Sequence, residues 1–171
     1  MIRKTLVATL VLFFLLIVSL EAYANSNIIV ASLDEESITA ETLATYVEDV
    51  AGVKYKSWLR DKEGQRKLAD FFINRRLLLE YARQTLSKKD TIVSNHNVRS
   101  VDEDVMYLSS LLKIEVQDKA NVSAEEVNVY MKKNKIDSEK QARQEIESDL
   151  KNKLMGALVE KVRTGHEIKY F

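Results

Sequence analysis

The stretch from Gly64 to Ser87, GQRKLADFFINRRLLLEYARQTLS, has the densest clustering of apolar residues outside the first two dozen positions. On a helix of 3.6 residues per turn, its apolar residues form two groups on nearly opposite sides. The larger group is Leu68, Phe71, Phe72, Leu78, Leu79, Ala82 and Leu86, and the smaller group is Ile73, Leu77 and Tyr81. Such a helix needs packing neighbours on two sides, so we expect the rest of the chain to be arranged around it.

Arg75 lies within the larger apolar group of this helix. An unpaired charge is costly in such surroundings. We therefore expect its guanidinium either to pair with a carboxylate or to reach water along its own aliphatic stem.

The composition limits the possible functions. The chain has 171 residues, no cysteine, no proline and a formal net charge of zero. The lack of cysteine excludes a disulfide framework and a thiol or cysteine-metal site. Balanced charge argues against a nucleic-acid partner, because such surfaces need a basic excess. The proportions of 30% charged and 46% hydrophobic residues are typical of a folded, helix-rich protein.

The first 24 residues have the pattern of a signal peptide. Arg3 and Lys4 are followed by an apolar run from Leu6 to Leu20 and then by Ala22-Tyr23-Ala24. We expect cleavage after Ala24, export to the periplasm and no membrane contact afterwards, with an uncleaved anchor as the alternative. Residues 25–171 would then form a single domain.

The segment that follows predicts a strand, a turn and a helix. Asn27 to Leu33, NIIVASL, is rich in β-branched residues and reads as a short strand, with a turn at Asp34-Glu35. Thr39 is a candidate N-cap for a helix that runs to Ala51, where Gly52 would end it.

The connection from Val53 to Glu63 contains more large aromatic side chains than is usual for a loop. It contains Tyr55, Trp58 and Leu59. Trp58 is interpreted either as a lid over the core or as part of an exposed apolar contact surface.

Beyond the central helix, Lys88 to Asn97 reads as a polar loop that holds His96. Ser100 to Gln117 is predicted to be a third amphipathic helix, because apolar residues recur at helical spacing. Ser100 and Glu103 have the spacing of a capping box.

The last third of the chain predicts two helices and a strand. Ser123 and Glu126 form the clearest capping box and begin a helix that runs to about Asn134. Ser138 begins the last helix, which Gly165 ends. Its narrow apolar stripe comprises Ile146, Leu150, Leu154, Leu158 and Val162. His166 to Phe171 alternates like a strand, and we expect it to pair with the first strand because a lone edge strand is unstable.

The sequence contains few residues that could perform catalysis. It has no glycine-rich phosphate loop and no Gly-x-Ser-x-Gly motif, and His96 and His166 are its two histidines. The acidic runs Asp34-Glu35-Glu36 and Asp102-Glu103-Asp104 lack calcium-loop spacing, so turn and helix-start roles are favoured. We expect no catalytic residue, no metal site and no cofactor.

The order of these elements is similar to that of the chaperone module of SurA-like and PrsA-like extracytoplasmic folding factors. The resemblance covers nearly the whole chain after the leader, and its individual motifs are helix caps and apolar spacings. The matching stretches are Phe72–Ala82 (FINRRLLLEYA), Val122–Asn134 (VSAEEVNVYMKKN) and Glu167–Phe171 (EIKYF). It implies a mainly α fold, a five-helix orthogonal bundle with a small sheet that pairs the N-terminal and C-terminal strands.

Two features depart from that family. Its members usually carry a parvulin-type prolyl isomerase domain before the last helix, but here Ser138 follows Asn134 too closely to admit one. The family commonly has an Asn-Gly turn where this chain has Asp34-Glu35, and Glu35 tolerates a positive φ poorly.

The resemblance implies an exported, non-catalytic chaperone-like protein that binds unfolded or assembling envelope or secreted proteins. Candidate client-binding residues are Tyr55, Trp58, Leu59, Tyr107 and Met131. One alternative is a dedicated assembly or docking partner for one envelope protein, with possible self-association into a homodimer. A reduced prolyl isomerase is the weaker alternative.

Overall fold

The computed structural model describes residues 27–87 and 102–171. In these ranges the protein is mainly helical and has a small antiparallel sheet of three strands. The strands are β1 (Ile29–Leu33), β2 (Glu36–Thr39) and β3 (Ile168–Tyr170). The α-helices are α1 (Ala40–Tyr46), α2 (Lys62–Thr85), α3 (Glu103–Leu112), α4 (Ala124–Asn134) and α5 (Glu139–Arg163). A 3₁₀ helix spans Val53–Arg60, and π-helical turns span Val47–Ala51 and Lys113–Gln117.

The predicted signal peptide, the polar loop that holds His96 and the proposed cap Ser100 lie outside the described residues. Within those residues, no helix combines the length and the apolar character that crossing a membrane would need.

The chain forms two compact units. The sheet unit contains residues 27–73 and Gly165–Phe171, and the helical unit is drawn from Asn74–Thr164. α2 contributes its N-terminal half to the sheet unit and its C-terminal half to the helical unit.

The predicted pairing of the C-terminal strand with the N-terminal strand is confirmed. β1 is the central strand of the sheet and pairs antiparallel with both β2 and β3. Ala31 lies opposite Tyr170, and Leu33 lies opposite Ile168. The strand β2 was not predicted from the sequence, and its last residue is the helix cap Thr39.

Asp34 forms the corner that joins β1, β2 and the C-terminal segment. The β1–β2 hairpin places its positive φ of 53° at Asp34 and not at Glu35, and Asp tolerates this conformation better than Glu does. The Asp34 amide donates to the Glu167 carbonyl at 2.7 Å, and Asp34 Oδ1 accepts from the Glu167 amide at 2.8 Å. Asp34 Oδ2 lies 2.8 Å from His166 Nδ1. One side chain therefore holds the C-terminal segment against the hairpin.

Most of the predicted helix ends are confirmed. Thr39 caps α1 by accepting from the Thr42 amide, and Gly52, at φ 93°, ends the turn that follows. Ser138 caps α5 by accepting from the Gln141 amide.

The start of the third helix was predicted incorrectly. α3 begins at Glu103, and its cap is Asp102, whose side chain accepts from the Asp104 amide at 3.0 Å. An aspartate next to the helix satisfies an orphan amide directly.

The expectation that α2 is buried on two sides is confirmed. Leu68 and Leu78 from the larger apolar group are buried, and so are Ile73 and Leu77 from the smaller group. Arg75 is half-buried and forms no ion pair within residues 27–87 and 102–171, so its guanidinium reaches water along its stem.

The apolar stripe of α5 is buried only near its C-terminal end. Leu158 and Val162 belong to the core, whereas Ile146, Leu150 and Leu154 are half-buried.

The Asp34→Ala variant is expected to lower the free energy of unfolding by about 1–2 kcal/mol, because it removes the side-chain acceptor of the Glu167 amide and places alanine at a positive φ. Urea denaturation measures the change. Asp34→Asn is the matched control, since its amide oxygen still accepts from Glu167 and asparagine tolerates this φ. Equal stability of Asp34→Ala and the wild type would contradict the role given to this corner.

A second testable prediction concerns the capping box of α4, which Ser123 and Glu126 form. The amide and hydroxyl of Ser123 donate to Glu126 Oε2 at 2.8 and 2.7 Å and hold the pKa of Glu126 below its ordinary value. Stability from this box is present above the ordinary carboxyl pKa and is lost as pH falls through the lowered one. An NMR titration should find the pKa of Glu126 raised in Ser123→Ala and unchanged in the control Ser148→Ala. An unshifted pKa in Ser123→Ala would show that the box does not act on Glu126.

Candidate functional site

Three aromatic rings in the sheet unit form one cluster, which we call the aromatic patch: Tyr55, Trp58 and Phe71. The Tyr55 ring lies edge-on to Trp58 at a centroid distance of 5.1 Å and to Phe71 at 5.8 Å. Trp58 and Phe71 are 5.7 Å apart and tilted by 33°. These distances are in the range of favourable aromatic pairs, so the three rings pack as one group.

The 3₁₀ helix positions two of the three rings. With three residues per turn, residues three apart project from the same face, which aligns Tyr55 with Trp58. The Tyr55 amide donates to the carbonyl of Gly52 at 3.1 Å where the helix begins, and Gln65 Nε2 donates to the carbonyl of Leu59 at 2.8 Å near its end. The segment predicted to be a loop is therefore an ordered helix.

Gly64 brings the 3₁₀ helix close to α2. A Cβ atom at Gly64 would lie 2.3 Å from the backbone oxygen of Trp58 and 2.7 Å from its Cα. Backbone cannot rotate away as a flexible side chain can, so only glycine permits this approach. The Gly64 amide donates to Asp61 Oδ1 at 2.8 Å, which caps the first turn of α2. This approach seats Trp58 beside Phe71.

The aromatic patch is open to solvent on one side. Phe71 is 42% exposed, while Tyr55, Trp58 and Leu59 are half-buried. Val53, at the start of the 3₁₀ helix, is 80% exposed. Single exposed apolar side chains are common on proteins, but a cluster of packed rings is a candidate contact surface.

Cationic side chains border the aromatic patch. Lys54 Nζ lies 4.9 Å from the centroid of the Tyr55 ring, and Lys67 Nζ lies 5.8 Å from that of Trp58. Lys67 also pairs with Glu63 at 2.6 Å. The patch therefore combines apolar ring surface with a positive edge.

The structure brings together only part of the predicted client-binding set. Tyr55, Trp58 and Leu59 share the 3₁₀ helix, as their spacing implies. Tyr107 is only 8% exposed in the core of the helical unit and offers little surface to a partner. Met131 is half-buried on α4 in the same unit and is not part of the patch.

Phe71 was not predicted as a site residue, because its position on the helix places it in the larger apolar group of α2. The available signal was Gly64 in the first turn of the helix, since a glycine there allows another backbone to lie close by. The neighbouring Phe72 has a different environment and packs edge-on against Tyr46 at 5.4 Å.

Two hydrogen-bonded pairs elsewhere in the described residues each shift the pKa of one member. Tyr130 Oη donates to Glu145 at 3.0 Å, and this hydrogen bond to a carboxylate raises the pKa of Tyr130. Lys161 Nζ donates to Tyr81 Oη at 2.6 Å, which raises the pKa of Lys161. No group of His, Asp and Glu side chains in residues 27–87 and 102–171 could hold a metal ion. The aromatic patch is the candidate site because its packed rings are partly exposed to solvent.

The Gly64→Ala variant is expected to disrupt the aromatic patch, because the added Cβ would displace the backbone of Trp58. The single tryptophan of the chain, Trp58, reports this change through its fluorescence. We expect a red-shifted emission and a lower melting temperature.

The matched control is Gly156→Ala in α5, where a Cβ meets nothing within 4 Å. This change should stabilise the protein by about 0.5–1 kcal/mol and leave the emission unchanged. An unshifted Trp58 emission in Gly64→Ala would show that the close approach does not hold the patch together.

Comparison of the chain with models of known protein families, with curated protein sequences and with solved structures gives no match.

Proposed function

We propose that this chain is an exported, non-catalytic, chaperone-like protein that binds unfolded or assembling envelope and secreted proteins. The observation that carries the proposal is the aromatic patch, a group of packed rings of which Phe71 is 42% exposed. Rings held in place by packing offer a large contact area at little cost in conformational entropy. A surface of this kind suits apolar segments that a client exposes before it folds.

Binding would come from burial of client side chains against the patch. Burial of apolar surface contributes roughly 25 cal/mol per Å², and association costs offset much of this gain. The patch is small, so the resulting affinity is weak and the client is released readily. Reversible binding of this kind delays aggregation without trapping the client.

The proposal includes the finer fold and the location. We place the chain with SurA-like chaperone modules, as a five-helix orthogonal bundle that lacks the isomerase domain. The order of the helices and the pairing of β3 with β1 support this placement. The leader pattern that ends at Ala22-Tyr23-Ala24 supports export to the periplasm, with cleavage after Ala24.

An aggregation assay tests the chaperone activity. The chain without residues 1–24, in severalfold excess, is mixed with an unfolded outer-membrane protein that is diluted out of urea. Light scattering should fall relative to the client alone and relative to the same excess of an unrelated folded protein. Unchanged scattering would refute the proposed function.

The Phe71→Ala variant should reduce protection and weaken client binding about tenfold, because central aromatic residues in interfaces contribute more than 1 kcal/mol. Val129→Ala is the matched control, since it removes another exposed apolar side chain from α4 in the helical unit. Titration of a labelled client by fluorescence anisotropy measures both. Equal losses in the two variants would show that binding does not depend on the patch.

A second candidate function is docking to one specific partner or to a second copy of the chain. The specific observation is that the stripe residues Ile146, Leu150 and Leu154 are only half-buried on α5, and Val105 and Val129 of the same unit are exposed. Light scattering coupled to size exclusion tests self-association. A stable dimer with amide exchange protected along the stripe would favour docking over client holding.

A further inference from the structure

The segment that carries the aromatic patch is strongly basic although the chain as a whole is neutral. The formal net charge of the chain is zero. Between Val53 and Lys67 the only acidic residues are Asp61 and Glu63. The basic residues there are Lys54, Lys56, Arg60, Lys62, Arg66 and Lys67. Positive charge is therefore concentrated in this segment. Lys54 and Lys67 lie over the Tyr55 and Trp58 rings, whereas Arg66 lies over the Tyr170 ring at 4.7 Å.

Both carboxylates of this segment are engaged within the protein. Asp61 Oδ1 accepts from the Gly64 amide at 2.8 Å, where it offsets the positive end of the α2 dipole. Glu63 pairs with Lys67 at 2.6 Å. Neither carboxylate forms an ion pair with a basic residue of the 3₁₀ helix.

The basic residues of the 3₁₀ helix are exposed. Lys54 and Arg60 share one face by the three-residue repeat, beside the face of Tyr55 and Trp58, and Lys56 lies on the third face. None of these three cations forms an ion pair with another residue in 27–87 or 102–171. We call Lys54, Lys56 and Arg60 the cationic rim.

A partner that covers the aromatic patch must come close to Lys54 of the cationic rim. Lys54 Nζ is only 4.9 Å from the Tyr55 ring. In an extended segment, successive residues are about 3.3 Å apart. When an apolar side chain of the segment contacts the Tyr55 ring, the residues one or two positions away in the segment therefore lie close to Lys54. Carboxylates at those positions would be attracted, and lysines or arginines would be repelled.

From this arrangement we infer that the aromatic patch and its cationic rim select extended client segments in which an apolar or aromatic side chain is flanked by carboxylates. The inference rests on the proposed function and specifies which clients that function favours. The apolar contact supplies the binding, and the rim discriminates between segments by charge. Because the rim is exposed, the discrimination weakens as salt is added.

Peptide binding tests the selection directly. Three labelled peptides share a central Leu-Phe pair and differ in their flanks, which carry aspartate, serine or lysine. Anisotropy titrations with the chain without residues 1–24 should give the tightest binding for the aspartate peptide. With one or two exposed charge pairs per complex, we expect its affinity to exceed that of the lysine peptide by about fivefold at low salt, and the difference to shrink at high salt.

The variant Lys54→Gln, Lys56→Gln, Arg60→Gln should lose the charge preference while it keeps binding to the serine peptide. The matched control is Lys132→Gln, Lys140→Gln, Lys153→Gln, which neutralises three exposed lysines of the helical unit and should keep the preference. Circular dichroism confirms that both variants are folded. If the rim variant does not fold, the wild type is titrated with the aspartate and lysine peptides at low and high salt. A preference for the aspartate peptide that shrinks at high salt supports the charge selection, and a preference that does not change with salt contradicts it.

The outcomes separate the inference from the proposed function. Equal binding of all three peptides would overturn the charge selection and leave the chaperone proposal standing. Absence of binding to any peptide, together with unchanged client aggregation, would overturn both. Binding to vesicles that contain anionic lipid, without binding to peptides, would assign the patch to a membrane surface and overturn the inference.

Discussion

The burial of α2 on two sides is the constraint on which the rest of the structure depends. Leu68 and Leu77 lie on opposite sides of the helix by its periodicity, and both are buried. Leaving either exposed would cost about 1.5–3 kcal/mol, so one neighbour is not enough. In the sheet unit, Tyr170 donates a hydrogen bond to Asp70, and in the helical unit Arg163 donates to Asn74 at 2.8 Å. Both partners come from the last part of the chain.

The aromatic patch follows from the same helix. Gly64 lies in the first turn of α2, where the 3₁₀ helix approaches so closely that a Cβ atom would meet the backbone of Trp58. This approach leaves Phe71 covered on one side by Trp58 and open on the other. A residue whose spacing suits the core thus remains 42% exposed and becomes part of a surface. The candidate site and the packing of α2 are therefore linked at the start of this helix.

The ends of the helices were predictable because caps are local. Ser123 and Glu126 bond to one another across three residues, and Thr39 bonds to the Thr42 amide. Both partners of such a hydrogen bond lie within a few residues of each other, so the local sequence is enough to predict it. The pairing of β3 with β1 was also predictable, but for another reason: a single exposed strand is unstable and needs a partner.

The missed features all depend on contacts that are not local. The strand β2 was not predicted because three of its four residues are polar, which is not typical of a strand. It forms because its backbone pairs with that of β1. The sequence predicts a loop where the 3₁₀ helix lies, because a helix of only eight residues with a three-residue repeat gives no clear periodic pattern. Tyr107 was a candidate client-binding residue, and it is buried in the core. Its exposure depends on its neighbours rather than on its own spacing.

The sequence by itself determined the helical class, most of the caps, the two-sided burial of α2 and the pairing of β3 with β1. Those features follow from local hydrogen bonds, from apolar periodicity and from the need of a strand for a partner. Only the tertiary structure decided that Asp34 binds the C-terminal segment and that Phe71 joins Tyr55 and Trp58. Both contacts join residues that are distant in the chain, and their distances are set by how the backbones pack and not by sequence spacing.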